Sequence, residues 1–234
     1  MNSKATSLSA ELIEVHDIAH ETKYFRFRAS SDISFSPGQF FLLCLPDGVR
    51  RAYSLASAPE ELPFFDLVVK HVPHGKASEL LWKSSPGMIF EFLGPLGKFG
   101  VRFPEKKQIF FATGTGMTPF RSMMRSFSYH QDAPEIFLFF GVRNEHYLCF
   151  REEFSAWAFE SPEKRQVTFC LSQPKEMADW YRNERVTATA MNLDSHFFEN
   201  AEISLCGSHE MVKEIRQILE NKGVDPETIN RESW

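Results

Sequence analysis

Residues 108–120 read QIFFATGTGMTPF, which is an apolar run, a glycine-rich turn and the start of an amphipathic segment. The run 108–112 is typical of a buried strand. Apolar residues after the turn recur at the i, i+3, i+4, i+7 spacing of a helix, namely Phe120, Met123, Met124 and Phe127. The stretch therefore predicts a strand, a loop and a helix in direct succession.

The same alternation continues to the end of the chain. Further strands are predicted at 135–141, 166–172 and 202–207, and further helices at 150–159 and from 208 to the glycine at 223. Strands that alternate with helices indicate a doubly wound parallel sheet. We predict an α/β domain over residues 107–234, joined by a linker at 102–107.

The first hundred residues have a different pattern. Short strand-like runs at 23–29, 39–45 and 64–72 are separated by turns rich in proline and glycine. Alternation places Phe25 and Phe27 on one face of the first run, opposite Tyr24, Arg26 and Arg28. This pattern predicts an antiparallel β-barrel over residues 1–102, interrupted by one helix at 78–84.

Composition excludes several classes of protein. The 234 residues carry a formal net charge of −5 and no long basic block, which argues against a nucleic-acid binder. No apolar run approaches the roughly 20 residues of a membrane helix, and no secretion signal is visible, so we expect a soluble, cytoplasmic protein without membrane insertion. The four cysteines form no C-x-x-C pair, so we expect no metal site: Cys44, Cys149, Cys170 and Cys206.

Two segments have the form of phosphate loops. In the first, Gly114 and Gly116 allow a tight turn, Thr118 is expected to cap the helix, and Pro119 suits its first turn. A plain tight turn explains a bare G-x-G equally well, and Pro119 departs from the G-x-G-x-x-G pattern. In the second, HGKASELL at 74–81, Gly75 frees the backbone and Ser78 adds a hydroxyl. An ordinary helix cap is the alternative there.

The stretch RRAYSLAS at 50–57 adds polar groups beside an apolar strand. Arg51 is suited to pair with a pyrophosphate, Tyr53 to lie against a planar ring, and Ser54 to hydrogen-bond a ring heteroatom. Two phosphate loops in two differently built halves imply two nucleotides.

Five motifs in order resemble those of the ferredoxin–NADP reductase superfamily, across nearly the whole chain. They are RAYSLAS (51–57), GKAS (75–78), GPLGKF (94–99), GTGMTPF (114–120) and LCGSHEMV (205–212). The resemblance implies an FAD-binding β-barrel followed by a nicotinamide-nucleotide domain. It also implies FAD and either NADH or NADPH as cofactors.

The resemblance assigns residues to the flavin. Arg51 corresponds to the partner of the FAD pyrophosphate, Tyr53 to a residue packed on the isoalloxazine, and Ser54 to a hydrogen-bond partner near flavin N5. The other residues expected at the FAD are Ala52, Val68, Val69, Lys70, Gly75, Lys76, Ala77 and Ser78. A solvated barrel position is an equal alternative for Lys70.

The resemblance also assigns residues to the nicotinamide nucleotide: Thr113, Gly114, Thr115, Gly116, Pro119, Cys206, Gly207 and Met211. Those expected to line or regulate the hydride path are Ser54, Cys206, Glu232 and Trp234. Trp234 would stack on the flavin until the nicotinamide displaces it, and a frayed end is the alternative.

Cofactor preference depends on the loop after the third α/β strand. Ser172 is followed there by Gln173, where NADPH-specific relatives commonly have an arginine, and this favours NADH. Basic residues that leave NADPH open are Arg143, Lys175, Arg182 and Arg185.

These features predict an FAD-dependent NAD(P)H oxidoreductase that passes electrons to a separate acceptor such as ferredoxin or flavodoxin. Two alternatives remain from the sequence. The chain is otherwise the reductase component of an oxygenase system, or a non-catalytic nucleotide-sensing module on the same fold.

Overall fold

The computed structural model describes residues 6–130 and 132–233. They form two compact units, one of residues 6–100 with 118–130, the other of residues 101–117 with 132–233. Each unit contains one six-stranded sheet. In the described residues, no helix combines the length and the apolar character needed to span a membrane.

The first unit is an antiparallel barrel. Its elements are β1 (Thr6–Ala19), β2 (Thr22–Ala29), β3 (Phe40–Cys44), β4 (Arg50–Ser54), β5 (Phe64–Lys70), α1 (Lys76–Trp82) and β6 (Ile89–Leu96). The strand order is β4-β3-β6-β1-β2-β5. A bridge between Leu55, just after β4, and Leu67 of β5 brings the two edge strands together and closes the barrel.

Aromatic side chains fill the barrel. Alternation along the strands directs one face inward, and five phenylalanines are completely buried: Phe25, Phe27, Phe41, Phe65 and Phe92. Phe27 meets the edges of Phe90 and Phe92 at centroid distances of 5.6 and 5.2 Å, a favourable aromatic geometry. The predicted opposition of Phe25 and Phe27 to Tyr24 and Arg26 is therefore confirmed.

The second unit is a parallel sheet in the order β10-β9-β8-β7-β11-β12. Its strands are β7 (Lys107–Thr113), β8 (Ile136–Val142), β9 (Arg165–Leu171), β10 (Tyr181–Arg182), β11 (Ala201–Gly207) and β12 (Ile229–Ser233). Its helices are α3 (Arg151–Phe159), α4 (Val186–Asn192) and α5 (His209–Asn221). The predicted fold classes of both halves are confirmed.

One helix, α2 (Thr118–Ser128), groups with the barrel, although it lies between β7 and β8 in the sequence. The predicted domain limits of 1–102 and 107–234 place this helix with the α/β half. Thr118 is the first residue of α2, which follows directly on a 3-10 turn at Gly114–Met117.

Candidate functional site

Arg51 on β4 carries a positive charge that is not paired with a carboxylate of the described residues. This strand pairs with β3, where Arg51 lies opposite Leu43. The Arg51 side chain is exposed and donates from Nη1 to the Arg50 carbonyl oxygen at 2.9 Å. Within the described residues no carboxylate forms an ion pair with it. The guanidinium is thus available to an anion such as a phosphate.

Tyr53 and Ser54 follow on the same strand. Tyr53 is half-buried against the barrel core, and burial raises the pKa of its hydroxyl to about 12, so the phenol stays neutral. Ser54 is half-buried, and its hydroxyl has no hydrogen-bond partner among the residues that the structure describes. Ala52, between Arg51 and Tyr53, is exposed.

Strand β5 divides its predicted flavin residues between two faces. Val69 packs into the barrel core with Phe65 and Leu67, so its side chain is committed to packing and is not presented to a ligand. Val68 is buried on the opposite face, and Lys70, also on that face, is exposed. Of the two valines, Val68 alone keeps its side chain outside the core.

The GKAS segment forms the first turn of α1. Gly75 precedes the helix in a turn so tight that a Cβ there would lie 2.9 Å from the Val72 carbonyl oxygen. The Ser78 hydroxyl accepts from the Val72 amide at 3.1 Å and lies 3.0 Å from the carbonyl oxygens of Val72 and Gly75. This hydroxyl therefore stabilises the turn, and its contribution to a phosphate site stays a prediction.

The two other residues of this motif have ordinary structural surroundings. Ala77 is buried in the barrel core. Lys76 is exposed and forms an ion pair with Asp47, and this hydrogen bond lowers the pKa of the Asp47 carboxyl. Lys76 thus has a carboxylate partner, unlike Arg51.

The glycine loop of the second unit requires both of its glycines. Gly114 has a φ of +54°, in the left-handed region, and a Cβ there would meet no atom within 4 Å. At Gly116 a Cβ would lie 2.2 Å from the Cys206 carbonyl oxygen, so the loop packs directly on the end of β11. Open space at Gly114 permits the close approach of a ligand to the backbone.

A second contact joins this loop to the CG segment. The Thr113 hydroxyl accepts from the Ser208 amide at 3.1 Å. Gly207 has a φ of +151°, and a Cβ there would lie 2.2 Å from the Thr113 Oγ1. Thr115 is half-buried, whereas Pro119 and Met211 are buried. Of the predicted nucleotide residues, Thr113, Gly116, Cys206 and Gly207 thus meet where β7 and β11 end side by side.

Cys206 and Glu232 are brought together by the C-terminal strand. They are paired in the register of β11 and β12. Cys206 is completely buried, and burial together with the nearby Glu232 charge raises the pKa of its thiol well above the ordinary value. Burial likewise raises the pKa of Glu232, whose buried Oε2 has no hydrogen-bond partner within residues 6–130 and 132–233. Both groups are therefore biased towards their neutral forms.

Arg143 and Gln173 meet at the ends of β8 and β9. The Arg143 Nε donates to the Gln173 Oε1 at 2.8 Å, and the Gln173 amide donates to the Arg143 carbonyl oxygen at 2.7 Å. The neighbouring Ser172 is exposed. A positive charge is thus present beside Ser172 although Gln173 carries none. Among the other basic candidates, Arg182 pairs with Glu184 at 3.7 Å.

The remaining predictions concern Trp234 and the four cysteines. Trp234 lies outside the described residues. All four cysteines are free thiols, and no cluster of three His, Cys, Asp or Glu side chains suited to a metal ion occurs in residues 6–130 and 132–233.

Comparison with known proteins matches both halves to families. Residues 9–101 match the oxidoreductase FAD-binding domain, and residues 110–217 match the oxidoreductase NAD-binding domain. A ferredoxin–NADP reductase B from Sorangium cellulosum is 36% identical over 179 residues, 73% of each chain.

The chain belongs to the ferredoxin–NADP reductase superfamily.

Two further matches, one in sequence and one in structure, cover almost the whole chain. The reductase subunit of an aromatic O-demethylase from Amycolatopsis sp. is 29% identical over 234 residues, 97% of this chain and 69% of the relative. The crystal structure of the Amycolatopsis cytochrome P450 reductase GcoB superimposes with a TM-score of 0.85 at 28% identity, covering 98% of this chain and 70% of that one.

Membership confirms the predicted reaction class. The chain is an FAD-dependent oxidoreductase that uses NAD(P)H and transfers electrons, and the sensing-module alternative loses its support. The residues fit these cofactors: in the part of the chain that the structure describes, Arg51 pairs with no carboxylate and the Ser54 hydroxyl has no partner, and Gly114 has open space beside its backbone.

The sequence analysis did not identify a buried polar cluster in the barrel unit. Asp66 of β5 and Arg121 of α2 are both buried and lie 3.3 Å apart. The signal was present, since Asp66 interrupts the apolar run FFDLVV and Arg121 lies among the apolar residues of its helix.

Proposed function

We propose that this oxidoreductase passes electrons from NAD(P)H through FAD to a separate small redox protein, a ferredoxin or a flavodoxin. The observation that carries the proposal is the 36% identity to a ferredoxin–NADP reductase over 73% of both chains. Bound FAD supplies a redox centre that exchanges two electrons with a nicotinamide and single electrons with a protein partner.

The flavin residues of this chain act by binding and orientation. Arg51 holds a pyrophosphate through its exposed guanidinium, helped by the amides at the start of α1. Tyr53 presents a neutral ring to a planar group, and Ser54 donates its free hydroxyl to a ring nitrogen.

The residues of the second unit hold the nicotinamide nucleotide. The backbone amides of 114–117 bind its pyrophosphate above the open face of Gly114. Cys206 remains a neutral thiol and acts as an apolar lining group, not as a nucleophile. Glu232, whose pKa burial raises, keeps its proton to a higher pH than an exposed glutamate and in that form offers a hydrogen-bond donor.

A second candidate is the reductase component of an oxygenase system. The 29% identity to the aromatic O-demethylase reductase subunit, over 97% of this chain, favours it. The two candidates differ in the protein that accepts the electrons, and share the same cofactors.

Stopped-flow re-oxidation separates the candidates. The holoprotein is reduced anaerobically with one equivalent of NADH or NADPH and mixed with a ferredoxin, a flavodoxin or an oxygenase component. We expect re-oxidation by ferredoxin or flavodoxin at least about tenfold faster than by the oxygenase component, a difference of about 1.4 kcal/mol in barrier height. Faster transfer to the oxygenase component would favour the second candidate.

A further inference from the structure

A carboxylate is buried in the wall of the barrel. The Asp66 side chain is 1% exposed, with the Arg26 Nε at 3.0 Å and the Arg121 Nη1 at 3.3 Å. The Tyr24 hydroxyl also bonds to it, and burial together with the Asp66 charge raises the pKa of Tyr24. A buried charge is tolerated only where it is paired and hydrogen-bonded. The Asp66 carboxylate therefore fixes the position of the Arg121 guanidinium.

Arg121 joins two segments that carry predicted flavin residues. Its Nη1 also donates to the Ala56 carbonyl oxygen at 2.9 Å, two residues beyond β4. The Ala56 amide donates to the Asp66 carbonyl oxygen at 2.8 Å, and the Asp66 amide donates to the Ser57 hydroxyl at 3.0 Å. The Arg121 guanidinium thus connects the Ala56 carbonyl oxygen to the Asp66 carboxylate of β5.

Three other polar residues on the same face of α2 reinforce this contact, and all of them bond to residues within 57–61: Ser122, Arg125 and Ser126. The Ser122 hydroxyl donates to the Ser57 carbonyl oxygen at 2.6 Å. Arg125 makes a two-pronged contact with the Glu61 carboxylate, at 2.7 and 3.1 Å. The contact covers two turns of the helix.

Stability alone does not account for these charges. Apolar side chains of similar volume stabilise a buried contact as well as an ion pair or better. Hydrogen bonds, in contrast, have strict distances and directions, so they set the rotation and axial position of α2 on the barrel. The network therefore specifies where α2 lies.

The position of α2 bears on the nucleotide loop because the two are covalently continuous. The glycine turn Gly114–Met117 leads without interruption into Thr118. We infer that Arg121 is a positioning residue for the reduction of the flavin by the nicotinamide nucleotide. It anchors the helix that follows the nucleotide loop to the strands that carry the flavin residues. This inference rests on the proposed function.

The test compares Arg121→Met, which keeps the volume and removes the hydrogen bonds, with Arg121→Lys and a control. The control is Arg216→Met, which breaks the Arg216–Glu220 pair on the surface of α5. Anaerobic stopped-flow gives the limiting rate of flavin reduction and the Kd of the nicotinamide nucleotide separately. We expect Arg121→Met to reduce the limiting rate at least tenfold with Kd changed less than threefold, and Arg121→Lys to restore part of the rate.

A second readout does not depend on activity. Amide hydrogen exchange is followed in peptides spanning 114–128, without nicotinamide nucleotide present. Exchange is expected to accelerate there in Arg121→Met and to match wild type in Arg216→Met. If Arg121→Met does not retain flavin, the double variant Asp66→Asn/Arg121→Met, which removes both buried charges, is measured in the same way.

The outcomes are distinct. A limiting rate equal to wild type, unchanged exchange in 114–128, or a loss that lies entirely in Kd would overturn the positioning role. A wild-type holoprotein that neither NADH nor NADPH reduces would instead overturn the proposed function.

Discussion

Cys206 and Glu232 lie side by side on adjacent parallel strands, and each is shifted towards its neutral form. The carboxylate oxygen Oε2 of Glu232 is buried and has no hydrogen-bond partner among the described residues. A carboxyl group in such surroundings holds its proton to a higher pH than an exposed one. Both members of the pair are therefore biased towards their protonated forms at the end of the sheet.

Replacing Glu232 by Gln is expected to remove the pH dependence of stability that titration of the Glu232 carboxyl causes. Because the folded-state pKa lies above the unfolded value, the proton's contribution to stability is full below the unfolded pKa. That contribution is lost as the pH rises through the folded pKa. The melting temperature of Glu232→Gln, relative to wild type, should therefore increase over that interval, as measured by thermal denaturation across pH 4–8.

The same variant should lose the corresponding limb in the pH profile of flavin reduction. Glu227→Gln, an exposed site in the turn before β12, serves as the control. A profile in Glu232→Gln identical to wild type would show that Glu232 takes no part in the reaction.

Replacing Arg51 by Ala is expected to weaken FAD binding. A hydrogen bond to a charged group contributes about 1.5–3 kcal/mol, so the Kd for FAD should rise roughly 10- to 100-fold. Arg50→Ala is the matched control, because Arg50 is equally exposed and its side chain alternates to the other face of β4. Fluorescence titration of each apoprotein with FAD measures the two Kd values. An equal rise in Kd for Arg51→Ala and Arg50→Ala would contradict the assignment of Arg51 to the FAD pyrophosphate.

Replacing Gly116 by Ala is expected to impair the nucleotide loop. A Cβ at 2.2 Å from the Cys206 carbonyl oxygen forces the backbone apart, at a cost of about 1–3 kcal/mol. The Kd for NAD(P)H should rise while the flavin content stays at the wild-type level.

Gly223→Ala provides the comparison for that variant. Gly223 has a positive φ of +83°, follows the C-terminal end of α5, and has no atom near its absent Cβ. It should lower the melting temperature and leave nucleotide affinity unchanged. Titration of the oxidised holoprotein with the nicotinamide nucleotide distinguishes the two, and equal affinities would count against a role for the loop.

Replacing Gln173 by Arg is expected to shift cofactor preference towards NADPH. Arg143 already contacts Gln173, so a second guanidinium would form a two-charge site for a 2′-phosphate beside Ser172. The ratio of kcat/KM for NADPH to that for NADH should rise about tenfold or more. Arg182→Ala, which breaks the pair with Glu184, is the control and should leave the ratio unchanged. A constant ratio in Gln173→Arg would place 2′-phosphate recognition elsewhere.

The fold could be predicted from the sequence where buried apolar residues recur at the regular spacing of a strand or a helix. The alternation around Phe25 and Phe27 and the apolar strand before Gly114 are examples, as is the termination of α5 just before Gly223. Strand β1 was not predicted, although Leu8, Ala10 and Leu12 alternate with polar residues in its first half. Its second half carries polar side chains on both faces, at Glu14, His16 and Asp17. The short elements β10 and α4 were missed because tertiary pairing, not local pattern, defines them.

The site was predicted unevenly for a similar reason. The motifs identified Cys206 and Glu232, but their pairing depends on β12, an edge strand with no clear pattern in the sequence. Val69 and Ser78 were assigned to the flavin by motif, whereas their side chains serve the core and a turn. The contact between Asp66 and Arg121 spans 55 positions, beyond the reach of periodicity.

The grouping of α2 with the barrel has a consequence for biosynthesis. The wall that contains Asp66 obtains its Arg121 partner only after the ribosome has translated the linker and β7, which belong to the other unit. A nascent barrel ending at residue 100 would therefore leave the Asp66 carboxylate without one of its two arginines. Co-translational folding of this half should finish late, once α2 has emerged and docked, so folding does not follow the order of the chain.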